Sequence, residues 1–329
     1  MNSNENPHGA SPLVQQAALL ALQSTHHYPD MNYHELKSAL ADFLAVNADQ
    51  ITPGNGSENI LELIIKTFLH ENDNVIVSQY AFYTIPMLLQ HYAIHTKVIP
   101  LKNWHTDIEA MIAAIDESTR MIFLVNPDNP VGTYTNNQNF MALMQGVPER
   151  VLVVVDEAYL EYIHVTDYPD TLSCLSQFPN LLLTRTFSKA YGLAALRVGY
   201  AISSAAIAAQ INQQRLPYNV NAIAIKAACA ALLDQEHIKK TLQANAQGRL
   251  QLEQGLRALN ISFFPSVTNF ITINMPNADN IRQQLKQKGV HVFSLHHYDL
   301  QDYLRVTIGI AEQNAYFLAA IRDILQTCR

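Results

Sequence analysis

The sequence predicts an α/β protein, with a large and mostly parallel sheet covered on both faces by helices and a smaller α+β domain after it. Three observations predict it. Short strand-like runs recur at residues 75–78, 95–99, 121–125, 151–155 and 181–184, and runs of that length suit strands buried on both faces. Helical patterns at 82–91, 107–114 and 137–144 lie between them, the alternation expected of parallel strands joined by crossovers. Beyond Pro217 the character changes to long helices and then to short mixed elements.

Taken in order, Ser11-Pro12 opens a short amphipathic helix to about residue 23, with serine as N-cap and proline in the first turn. The HHYPDMN stretch at 26–32 is a loop, and helical spacing returns over 33–44. TPGNGSE at 52–58 reads as a glycine-containing turn opening a long helix over 59–69. The strands and helices named above follow, and a further apolar run occupies 198–202. An alanine-rich helix over 220–233 precedes a polar-faced helix over 235–259, long enough to bridge two domains. The remainder, 262–329, mixes short strands and helices, and no internal repeat is visible.

Composition narrows the class. With 329 residues, 49% hydrophobic and 15% charged, the chain can bury a substantial core. A net charge of −7 argues against a general nucleic-acid binder but leaves room for a local cationic pocket. Cys174, Cys229 and Cys328 show no metal-ligand spacing and read as free thiols. The first twelve residues lack the pattern of a secretion signal, and the apolar run at 17–22 is too short to span a bilayer. The expectation is a cytoplasmic protein.

Ligands of such sheets bind beyond the carboxyl ends of the strands, and polar residues gather there. Asn126 and Asn129 follow one strand, Asp156 another, and Ser188-Lys189 a third. Lys189 stands between a strand end and small residues, where crowding would lower its pKa and make the amine a nucleophile. Taken alone it also reads as an ordinary loop lysine, with Arg197 a structural arginine. Asp156 follows VLVVV, and a carboxylate there needs a positive partner. It could be a helix cap, half of an ion pair, or the partner of a protonated ring nitrogen.

In order and spacing, NENPHG from Asn4, YPD, GNGSENI, NPDNPVGT, VVVDEAYLEY, RTFSKAYGLAALRVGY and LRVTIG at residues 304–309 resemble the histidinol-phosphate aminotransferase family. These are fold-type I enzymes that use pyridoxal 5′-phosphate (PLP). The resemblance covers nearly the whole chain. It implies a large PLP-binding domain over 25–243 and a small C-terminal domain over 244–329, with residues 1–24 packing on the small domain. Lys189 would bond the cofactor's aldehyde carbon and move the substrate proton, and Asp156 would hold the ring-nitrogen proton. Asn129 and Tyr159 would meet the phenolic oxygen. Phe82 would stack on the ring, its alternative being a place in the core. Gly56, Ser57 and Glu58 at a helix start, with Thr186, Ser188 and Arg197, would hold the cofactor phosphate. Tyr28 would reach that phosphate from a neighbouring subunit, making a homodimer with shared sites. Arg305 would grip the substrate's anionic group, with Asn6 and His8 on the substrate side.

Two departures from the family pattern bear on the substrate. Relatives carry a longer arm before the NENP-like motif. The family's GVxVR segment here reads GVHVF, with Phe293 in place of arginine. His291, His296 and His297 lie nearby, as solvated loop residues or as compensating cations. The resemblance implies transamination between L-histidinol phosphate and 2-oxoglutarate, in histidine biosynthesis. The alternatives are an aminotransferase for aromatic or other hydrophobic amino acids and a threonine-phosphate decarboxylase. A PLP-sensing regulatory domain, the non-enzymatic alternative, would be preceded by a DNA-binding domain.

Overall fold

The computed structural model describes residues 1–327, so the thiol expected at Cys328 lies outside the described residues. In chain order the elements are α1 (Pro12–Leu22), α2 (His34–Leu44), β1 (Ile51–Gly54), α3 (Ser57–Phe68), β2 (Asn74–Ser78), α4 (Thr84–His91), β3 (His95–Ile99), α5 (Ile108–Ala113), β4 (Thr119–Val125), α6 (Asn137–Gly146), β5 (Leu152–Asp156), α7 (Thr171–Cys174), β6 (Leu181–Thr186), β7 (Gly199–Ser203), α8 (Ala205–Gln214), α9 (Ala222–Leu233) and α10 (Gln235–Ala258). The C-terminal part adds β8 (Phe270–Asn274), α11 (Ala278–Gln287), β9 (Phe293–Ser294), β10 (Tyr303–Thr307) and α12 (Ala311–Thr327).

The large sheet has seven strands in the order β1-β7-β6-β5-β4-β2-β3. β3, β2, β4, β5 and β6 run parallel, and β7 is antiparallel to both of its neighbours. The central strands bury both faces because apolar side chains follow one another along them and so point to each face in turn. Ile122, Leu124, Val153, Val155, Leu181 and Leu183 enter one core, and Met121, Phe123, Val125, Val154 and Leu182 enter the other. Each such side chain contributes on the order of 1.5–3 kcal/mol by leaving water. β3, with exposed His95 and Val98, is a sheet edge.

β1 lies in the stretch read from sequence as a turn. Pro53 cannot donate to a ladder, yet β1 pairs only with β7, and an edge strand tolerates proline. Ser11 caps α1 as expected, its hydroxyl accepting from the Val14 N–H. Residues 1–24 do not behave as one unit. The Thr307 N–H donates to the Met1 carbonyl and the Asn4 N–H to the Thr307 hydroxyl, so residues 1–4 follow β10 of the small sheet. Helix α1 instead packs along α9, with Val14 in the large core.

The small sheet is antiparallel, in the order β8-β10-β9, with α11 and α12 packed on it. Helix α10 joins the two halves. Ile238 near its start belongs to the large core, while Leu252 and Leu256 belong to the small one. The expected boundary at 243/244 therefore falls inside a continuous helix.

Candidate active site

A cavity of about 290 Å³ lies at the carboxyl ends of β4, β5 and β6, between the two sheets and under residues 2–4. The strand ends place Asn129, Asp156, Thr186, Ser188 and Lys189 on its wall, and Arg305 reaches it from β10. Asn126 does not line it. Its amide bonds both backbone groups of Thr135 and closes the loop that carries Asn129.

Lys189 leaves β6 on a tight turn, and its Nζ donates to the Ser3 carbonyl at 3.1 Å. Burial pulls its pKa down to about 8, and the Arg305 charge pushes the same way. This amine is free base far more often at neutral pH than a surface lysine is. Asp156 is 2% exposed at the end of β5 and accepts from the Thr184 hydroxyl at 3.0 Å. Burial pushes its pKa up to about 6, against the Thr184 bond, with the Glu157 charge adding to the rise. Glu157 is not free for chemistry, because it pairs with Arg185 at 2.8 Å and accepts from Thr171.

Tyr159 is buried, and its hydroxyl accepts from Asn4 Nδ2 at 2.8 Å and Asn129 Nδ2 at 3.3 Å. Burial first raises its pKa. Asn129 Oδ1 in turn accepts from Arg305 Nη1 at 2.6 Å. One chain of hydrogen bonds thus joins the N-terminal segment, the large domain and the small sheet.

At the opposite end, Ser57 and Glu58 begin α3 after Gly56. Gly56 has φ +81°, and a Cβ there would meet Arg197 Nη2 at 2.6 Å. A Cβ on Gly199 would lie 2.7 Å from the Ser57 N–H nitrogen. These two glycines let the helix start, β7 and the guanidinium crowd together. Thr186 and Ser188 share a hydrogen bond of 3.0 Å, and Arg197 Nη1 donates to Ser188 at 3.3 Å. The Glu58 carboxylate holds Arg197 Nη2 at 3.0 Å. Backbone N–H groups at a helix start, two hydroxyls and an arginine form a donor set for a phosphate.

Those features test the cofactor that the sequence implies, and the residues fit it. A donor-rich cup without room for a Cβ, a buried carboxylate suited to a protonated nitrogen, and a depressed lysine amine share one cavity with the ring of Phe82.

The other expected site residues lie elsewhere. Asn6 and His8 do not line the cavity. Asn6 Nδ2 donates to the Ala190 carbonyl at 2.9 Å and so ties the N-terminal segment to the Lys189 loop, while His8 is exposed. Tyr28 is 82% exposed and stacks on Tyr218 at 4.6 Å, away from the cavity of its own chain. His291, His296 and His297 are exposed and none reaches the wall. Sequence reasoning gave no role to Asn4, Tyr83 or Tyr298, all of which line it. The signal for Asn4 was its place at the head of NENPHG. Tyr298 had none, because its neighbours in space are far away in sequence. Among the described residues no cluster could hold a metal ion, and no helix is long and apolar enough to cross a membrane.

Comparison with known proteins agrees with this geometry. The family profile described as aminotransferase class I and II matches residues 1–321. Histidinol-phosphate aminotransferase 2 of Pseudomonas fluorescens (strain Pf0-1) is 46% identical over 98% of this chain and 88% of its own length. Histidinol-phosphate aminotransferase 1 of Nitrosococcus oceani is 40% identical over 99% of this chain and 89% of its own. The crystal structure of histidinol-phosphate aminotransferase from Sinorhizobium meliloti, in complex with pyridoxal-5'-phosphate, superposes with a TM-score of 0.94 at 27% identity, covering all of this chain and 90% of that one. The chain belongs to the class I and II aminotransferases, in the histidinol-phosphate aminotransferase family.

Proposed function

We propose that this protein is a PLP-dependent aminotransferase that moves the amino group of L-histidinol phosphate to 2-oxoglutarate, in histidine biosynthesis. The observation that carries it is one cavity holding an amine of lowered pKa, a buried carboxylate and a phosphate cup, in a chain 46% identical to a protein of that name. Bound there, PLP supplies an aldehyde that condenses with amines and a ring that draws electrons from the substrate's Cα.

The chain's residues divide the remaining work. Ser57 and Glu58 N–H groups, Thr186, Ser188 and Arg197 hold the phosphate. Asp156 keeps the ring nitrogen protonated, since its buried charge is best met by a cationic donor. Asn129 and Tyr159 bond the phenolic oxygen, and Phe82 covers one ring face. Lys189 Nζ would take the proton from substrate Cα, and its lowered pKa is close to the value that such transfer favours. Arg305 orients the substrate through its anionic group.

The assembly we propose is a homodimer in which Tyr28 serves the partner's phosphate cup. The exposure of Leu19, Leu20 and Leu22 on α1, of Leu216, and of the stacked rings of Tyr28 and Tyr218 supports it, since large apolar side chains left in solvent favour a partner surface. We assign it to the cytoplasm, where the free thiols of Cys174 and Cys229 stay reduced.

A panel of amino donors with 2-oxoglutarate tests the reading. Glutamate formation from L-histidinol phosphate is the expected result. Turnover only with aromatic amino acids moves the substrate assignment, and CO₂ release from threonine phosphate moves the reaction class. A monomer fully active in dilute solution overturns the shared site.

A further inference from the structure

Arg305 packs against two phenyl rings. Its guanidinium carbon lies 4.5 Å from the ring centroid of Phe293 and 5.3 Å from that of Phe270. The small sheet dictates this, because Phe293 on β9 is the direct cross-strand neighbour of Arg305 on β10. Nη1 donates to Asn129 Oδ1 and Nη2 to the Asn2 carbonyl, while Nε is buried without a partner. The titratable groups facing Arg305 are Tyr159, Tyr298 and Lys189. The remaining charges on the cavity wall are Glu58, Asp156 and Arg197, and Arg197 is taken up by Glu58 and Ser188 at the phosphate cup. Among the described residues, the substrate end therefore has one guanidinium, with Tyr83, Tyr298 and Phe293 as its neutral walls.

We infer that Phe293 is a specificity-determining residue: stacked on Arg305, it leaves the substrate end, with Lys189 taken up by the cofactor, one desolvated guanidinium, matched to a singly charged group and not to a doubly charged one. The inference rests on the transaminase reading and concerns which form of the substrate's anionic head the site prefers. Doubling the charge of a bound group doubles its attraction to one guanidinium. Its desolvation cost grows with the square of the charge. With one cation available, a carboxylate or a monoprotonated phosphate is the better occupant. A second cation at position 293 would reverse that order. The ring also holds the guanidinium plane by cation–π attraction, so Phe293 positions Arg305 as well as withholding charge.

The test uses the PLP-loaded protein and two unreactive probes, glycerate for the singly charged carboxylate and glycerol 3-phosphate for the phosphate dianion, with binding read by calorimetry at pH 8. Wild type is expected to favour glycerate. Phe293→Arg should shift the affinity ratio toward glycerol 3-phosphate by about tenfold or more, and Phe293→Lys serves the same purpose if the arginine variant does not fold. Phe293→Leu, neutral but without a ring, should weaken both probes by about threefold. A wild type that prefers glycerol 3-phosphate, a cationic variant that leaves the ratio unchanged, or a leucine variant that binds both probes normally would overturn the inference. Turnover of L-histidinol phosphate is followed separately. Its absence alongside the expected probe selectivity counts against the proposed reaction and leaves the role of Phe293 standing.

Discussion

At the phosphate-cup end of the cavity, the wall is made by one sheet and the helix that starts beside it. Asp156 and Thr186 end adjacent strands, Ser188 follows the second of them and Arg197 precedes β7, and a Cβ on Gly56 or Gly199 would collide with those pieces. At the substrate end the wall is assembled from four separate places: residues 2–4, Tyr83, the β9 region with Phe293 and Tyr298, and Arg305 on β10. The first end is stiff because its groups ride on strands buried on both faces. The second is held by the hydrogen bonds of Arg305 to Asn129 and Asn2 and of Asn4 to Tyr159 and Thr307. An end held in this way can tolerate a change of substrate-facing residue without disturbing the chemistry beside it.

Substitutions at the two ends should therefore fail differently. The largest effect is expected at Lys189, whose loss would, under the proposed function, remove both the cofactor bond and the proton carrier. Lys189→Ala should lower turnover by roughly 10³-fold or more and abolish covalent, visible-absorbing PLP, with melting temperature close to wild type. Wild-type turnover in that variant would undo the assignment. The pH dependence sharpens it: only the free amine reacts with an aldehyde, and lowering the amine pKa raises that fraction at neutral pH. Capture of PLP by Lys189 should accordingly rise through about pH 8, well below the range of an exposed lysine.

Asp156→Asn comes next. It keeps the shape but removes the charge, so turnover should fall by about 10²–10³-fold while PLP stays bound, as measured by its absorbance after gel filtration. An unchanged rate would return Asp156 to a structural role. At the other end, Arg305→Ala should cost about 2–5 kcal/mol in kcat/KM in both half-reactions, since donor and acceptor share the anionic contact. Stopped-flow traces of the two half-reactions check this, and a loss confined to one would break the idea of a common grip. Asn4→Ala should have the smallest effect, about 1 kcal/mol, by releasing Tyr159 and the strap over the site. If it acts through positioning, KM should rise more than kcat falls.

Much of the cofactor end was legible in the sequence because Asn129, Asp156, Ser188 and Lys189 stand within a few residues of an apolar strand, and a buried parallel strand announces itself by composition alone. Asn129, Asp156 and Lys189 could be singled out without any knowledge of long-range contacts, whereas the role expected of Arg197 came only from the family resemblance. Helix α1 could be placed from Ser11-Pro12 for a similarly local reason, the capping of unpaired N–H groups. What the sequence left undecided depends on packing between distant segments. It did not say that β1 is a strand, because Pro53 is tolerated only at an edge that β7 creates. It put Asn6 on the substrate side and gave no role to Asn4, two residues earlier, whereas the fold sends the Asn4 amide to Tyr159 in the cavity and the Asn6 amide to Ala190. Nor could it tell that Phe293 would stack on Arg305 while the three nearby histidines face solvent. A strand's burial follows from its own side chains, whereas the direction in which a loop residue points follows from whatever the rest of the chain brings against it.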